Sequence, residues 1–176
     1  LKNKEFDVEA DEFRLIEENE IYNTKWMTVS SIDDVGKKEE FNETIAAHKD
    51  LPNVVFSPSE HEFIDYRFME RDRYMPNEVH FYGLKEDKII DARILDCSTD
   101  ANCYFDRAYF LDNDLFVISE FSRNLGKNNK AVGECPVDQT CTYSIKVHVV
   151  DLINNSRLIY ESKPKEINLA ELIPDF

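Results

Sequence analysis

Glycine is scarce in this chain, with 4 in 176 residues. None of the four stands in a spaced cluster of the kind that cradles phosphate, or in a Gly-x-Ser-x-Gly nucleophile elbow. Nucleotide hydrolysis and ordinary serine-hydrolase chemistry are therefore disfavoured. No apolar run approaches the ~20 residues that span a bilayer as a helix, so membrane insertion is not expected. Positive charge is short as well: 21 Lys and Arg stand against 36 Asp and Glu, a formal net charge of −15. Such a surface repels phosphate backbones and anionic headgroups, so nucleic acid and lipid surfaces are not expected partners. Solubility is the plain reading of the charge.

Apolar and aromatic side chains are abundant. The hydrophobic fraction is 42% and the aromatic fraction 12%, with 12 Phe and 8 Tyr, well above what a disordered acidic chain carries. The length suits one domain with a sizeable core. Four cysteines fall in two equal spacings, Cys97-x5-Cys103 and Cys135-x5-Cys141, around polar interiors. Short loops close readily, which favours the local disulfides Cys97 with Cys103 and Cys135 with Cys141 over cross-pairing. A four-thiolate zinc site is the functional alternative, but paired structural ligands usually stand two to four residues apart. Disulfides place the protein in an oxidising compartment, namely periplasm, cell surface or secreted space. The polar opening Lys2-Asn3-Lys4-Glu5 fits the start of a chain released from a signal peptide, a lipoprotein anchor or an artificial boundary.

The most informative feature is an internal repeat. Val79 to Ile90 matches Val147 to Leu158, each reading as strand, polar turn, strand. Upstream, Phe63-Ile64-Asp65-Tyr66-Arg67-Phe68 lies over Phe116-Val117-Ile118-Ser119-Glu120-Phe121, and Val54-Val55-Phe56 lies over Ala108-Tyr109-Phe110. Each unit has about four strands. The expectation is a mainly β protein: two blade-like antiparallel four-stranded units stacked as a compact sandwich-like domain, with one N-terminal helix over about 37–48. That single domain of 1–176 divides into a strand-and-helix region (1–52), a first repeat (53–97), a second repeat (103–162) and a tail (163–176).

Phe56-Ser57-Pro58 and Val147-His148-Val149-Val150-Asp151-Leu152 resemble the turn and strand motifs of TolB-like and WD-type β-propeller blades, over residues 53–162. The resemblance implies four-stranded meanders. Propellers close with at least four blades and two are visible here, which leaves stacked sheets or membership of a larger assembly.

Glu20 to Val29 favours strand by its β-branched and aromatic content, with Trp26 expected in the core. Lys37 to His48 spaces Phe41, Ile45 and His48 on one helical face and ends before Pro52. Ile167 to Ile173 reads equally as a short helix or a last strand.

Little catalytic chemistry is visible. Glu60-His61-Glu62 lacks the second histidine of a zinc motif and reads as a solvated turn. His80 and His148 occupy equivalent repeat positions without a nucleophile partner nearby in sequence. Asp112 and Asp114 of Asp112-Asn113-Asp114 could supply oxygen ligands to calcium, although the same triplet is ordinary turn chemistry. No other cofactor is expected. The two repeats differ chiefly in the connection between their second and third strands, which is long in the second repeat, residues 122–140. Loops of this kind carry binding residues, which makes Arg123, Lys127, Asn128 and Lys130 the expected contact surface. The leading functional expectation is a non-catalytic, extracytoplasmic interaction module with disulfide-stapled loops, bound to a protein or glycan. A carboxylate-dependent hydrolase of glycans or peptides and a calcium-stabilised adhesion domain are the alternatives.

Overall fold

The computed structural model describes residues 13–21, 26–67, 77–97, 103–123, 133, 135–136 and 138–172. In chain order the strands are β1 (Phe13–Glu20), β2 (Met27–Ser31), β3 (Val54–Phe56), β4 (Glu62–Asp65), β5 (Glu78–Lys85), β6 (Lys88–Asp96), β7 (Cys103–Asp112), β8 (Leu115–Ser122), β9 (Thr140–Asp151), β10 (Ser156–Ser162) and β11 (Lys165–Asn168). Helix α1 (Lys37–His48) follows β2, and the single turn α2 (Leu169–Leu172) follows β11.

Two antiparallel sheets pack as a sandwich, in agreement with the sequence expectation. One has the order β2-β6-β5-β4-β3. The other has the order β1-β10-β9-β8-β7, with β11 paired to β9. Strands β3 to β6 and strands β7 to β10 thus each form a four-stranded up-and-down meander. An N-terminal strand widens each one, β2 on β6 and β1 on β10.

Tight turns set the register of these meanders. Lys85 pairs with Lys88 across the two residues Glu86-Asp87, and Glu86 takes φ 54. Asp151 pairs with Ser156 across four residues, the last of which, Asn155, takes φ 50. Hairpin loops place a left-handed residue at such positions, and asparagine tolerates it best after glycine. Asp151 also receives the backbone N–H groups of Ile153 and Asn154 at 3.1 and 2.9 Å. The aspartate of the Val-x-Val-x-Asp-Leu motif is therefore the cap of its own turn, and these contacts hold its carboxyl below the usual value.

Period-2 alternation sends one set of side chains between the sheets. Ile64, Val79, Phe81, Ala92 and Ile94 of the five-stranded sheet meet Phe105, Phe110, Phe116, Ile118 and Val150 of the other in one buried cluster. Gly83 on β5 has a steric reason: a Cβ there would overlap the Cβ of Glu62 on the neighbouring strand. The outer face of the five-stranded sheet is covered by α1. Phe41 stacks on Tyr82 at 5.8 Å between ring centroids and His48 on Phe63 at 4.6 Å.

Both disulfides are local. Cys97 follows β6 and Cys103 opens β7, so the first bond spans the crossing from one sheet to the other, with Cα atoms 5.6 Å apart. Cys135 and Cys141 close the end of the β8–β9 connection onto β9, with Cα atoms 6.5 Å apart.

Three local expectations need correction. Of the strand expected over Glu20–Val29, Glu20 ends β1 and Met27–Val29 open β2, which belong to different sheets, while residues 22–25 lie outside the described residues. Trp26 is not in the core: it is 44% exposed and its ring lies against the Arg93 guanidinium, 3.9 Å from the centroid. Arg93 is held in turn by Glu78 and Asp96, so a cation rather than an apolar wall receives the indole. The tail is both strand and helix, β11 followed by α2.

Candidate functional site

The described ends of the β8–β9 connection are rooted on the strands that flank it. Phe121 at the end of β8, Tyr143 on β9, Ile167 on β11 and Leu169 on α2 enclose Cys135 in a second, smaller apolar cluster. Phe121 and Tyr143 meet edge to face at 6.5 Å. Arg123 leaves β8 over this cluster, with its guanidinium 5.9 Å from the Tyr143 ring, and its Nη1 donates to the Gly133 carbonyl at 2.8 Å. Of the four residues expected to form a contact surface, Arg123 is thus tied across the base of the connection. Lys127, Asn128 and Lys130 lie outside the described residues.

Asp112 ends β7 and Asp114 is the second residue of the two-residue β7–β8 turn. Asp112 accepts the N–H of Asn113 at 2.7 Å. Asp114 accepts from the Lys85 ammonium, which also forms an ion pair with Glu62. An ammonium therefore stands beside Asp114, one of the two carboxylates that could supply oxygen ligands to calcium.

Glu62 itself corrects the sequence reading of Glu60-His61-Glu62. Glu60 is on the turn with φ 58, but Glu62 begins β4 and is buried between the sheets. Burial pushes its carboxyl up, and Lys85 only partly offsets this. Ser59 N–H donates to Asn113 Oδ1 at 2.8 Å nearby. The Ser-Pro-Ser turn of the first meander is thereby hydrogen-bonded to the β7–β8 turn of the second. These contacts join charges across the two sheets.

A second buried charge cluster was not read from the sequence. Glu120 on β8 is hydrogen-bonded to His148 Nε2 at 2.6 Å and accepts from Lys146 Nζ at 3.2 Å, both from β9. Burial raises the Glu120 carboxyl, but His148 and Lys146 together outweigh it, and the group lies below its ordinary value. The ring of Phe105 meets His148 edge-on at 6.2 Å. A Glu120 oxygen and the sulfurs of Cys97 and Cys103 all lie within 4.8 Å of one another. The two sulfurs are bonded to each other, so they offer no thiolate to a metal. One signal could have pointed here: Glu120 interrupts the apolar run Leu115 to Phe121, where a charge needs a partner.

One end of the sandwich opens into a groove of about 610 Å³. Met27 and Val29 of β2, Ile90 of β6 and the turn residues Leu152 and Ile153 form its apolar walls, and Lys85, Lys88 and Asp114 its polar rim. Among the described residues, no helix is long and apolar enough to cross a membrane. No family model matches the chain, and no curated protein or solved structure matches it either.

Proposed function

We propose that the protein is an extracytoplasmic, non-catalytic interaction module that presents its β8–β9 connection to a protein or glycan partner. The observation that carries this reading is the root of that connection. A disulfide, a dedicated apolar cluster and the Arg123 to Gly133 hydrogen bond fix its two ends on the sheet. Such anchoring lowers the conformational entropy lost when a loop meets its partner. Two disulfides in a chain of this size favour an oxidising compartment.

Charge supports the same surface. Between residues 123 and 134 stand Arg123, Lys127 and Lys130 against a single acid, Glu134, in a chain of net charge −15. A local reversal of sign suits an anionic patch on the partner. The same reading takes the two meanders as blade-like units. In support, their first strands β3 and β7 approach within 8 Å between Cα atoms, as the inner strands of neighbouring blades would.

The test compares wild type with the charge-reversed variant Lys127→Glu/Lys130→Glu, which leaves the Arg123 anchor intact, in affinity capture from an envelope extract of the native host. The expected result is at least about tenfold less of the captured partner, with an unchanged melting temperature. Undiminished capture by the variant would reject this surface.

A further inference from the structure

Each sheet ends in edge strands, and exposed edges are templates for another strand unless something blunts them. Most edges here carry a recognisable device. Strand β1 has a register shift between Leu15 and Glu17 and presents Arg14, Glu17, Glu18 and Glu20. Strand β7 shifts register twice and carries Asp106 and Arg107 within the first of these shifts. Strands β3 and β11 are only three and four residues long. Strand β2 differs from all of these. Its sequence Met27-Thr28-Val29-Ser30-Ser31 holds no charge and no proline, and its five pairs with β6 run without a shift.

The direction of its free hydrogen-bonding groups follows from the register. Ile32 N–H donates to Asp87 C=O at 2.9 Å, so the residues of the same parity, Thr28 and Ser30, turn their backbone groups toward β6. Met27 and Val29 therefore turn theirs to the open side, where no described residue pairs with β2. At Ser31 the outward N–H is already capped by Asp34 Oδ2 at 3.2 Å. The side chains of Met27 and Val29 meanwhile line the groove, and Val29 is 46% exposed.

We propose that the free edge of β2 is a strand-addition site for an extended segment of a partner protein with apolar side chains at alternate positions. The backbone groups of Met27 and Val29 would bond the incoming strand. Side chains opposite those two residues would fall on their side of the sheet and enter the groove against Ile90 and Ile153. This inference shares with the proposed function the premise of an interaction module, and it uses a different surface.

The full chain, labelled with ¹⁵N, is titrated with the capped peptide acetyl-Lys-Val-Thr-Ile-Thr-Val-Lys-amide. The expected result is resonance shifts confined to Met27–Ser31, Ile90 and Ile153, with slowed exchange of the Met27 and Val29 amides. Val29→Pro removes an outward N–H without touching the ladder to β6 and should weaken the peptide by about tenfold or more. Val29→Lys, which leaves the backbone intact, and the same peptide N-methylated on its pairing side should do the same. Unmoved β2 resonances, or equal affinity for wild type and Val29→Lys, would overturn the proposal. The charge-reversed loop variant should bind the peptide as wild type does; loss of binding there would place the peptide on the loop and also overturn it.

Discussion

Glu120 and Glu62 are both buried on strands, yet their surroundings act on them in opposite directions. His148 and Lys146 hold the Glu120 carboxyl below its ordinary value. Its contribution to stability is therefore complete above the unfolded value, about 4.3, and is lost as pH falls through the depressed one. Glu62 is raised by burial despite Lys85. Its contribution is present below the ordinary value and lost as pH rises through the raised one. Glu120→Gln should accordingly cost roughly 3 kcal/mol at pH 7, because it leaves the buried His148 and the half-buried Lys146 without their anionic partner, and this cost should shrink below about pH 4. Glu62→Gln should change stability at pH 7 by less than about 1 kcal/mol or raise it, since Lys85 keeps Asp114. Urea melts of both variants at pH 7 and pH 4 read the contrast, and equal costs at pH 7 would contradict it.

Helix α1 shows how an element with a weak apolar stripe is held by the surface beneath it. Among its residues Phe41 is buried, and His48 completes an aromatic layer with Phe63, Phe56 and Tyr82. Phe41→Ala should therefore cost about 3–4 kcal/mol in chemical denaturation; a change below about 1 kcal/mol would mean that the helix does not depend on this sheet. The bounds of α1, 37–48, were legible from the spacing of Phe41, Ile45 and His48. Strands β3 to β10 were legible from alternation and turn residues such as Glu86-Asp87 and Asn154-Asn155. The placement of Trp26 was not, because its ring contacts Arg93 from β6, more than sixty residues along the chain. The division of Glu20–Val29 between two sheets was hidden for a related reason: propensity reports that a segment prefers to be extended, while strand partners come from distant sequence.

The whole molecule is two meanders fastened where the chain passes between them. The Cys97–Cys103 bond spans the crossing from β6 to β7, and the Lys85 ion pairs with Glu62 and Asp114 join the sheets at the groove end. Equal cysteine spacings made both bonds readable, since short loops close locally. The charge clusters escaped notice because Glu120 meets His148, and Glu62 meets Lys85, only after the strands pair. Non-reducing peptide mapping of the protein purified from its native host, with free thiols alkylated before digestion, is the most direct test of the stapled sandwich and of the extracytoplasmic location proposed for it. It should yield the Cys97–Cys103 and Cys135–Cys141 peptides and no alkylated cysteine; four alkylated cysteines, or a bond between the two loops, would contradict the account.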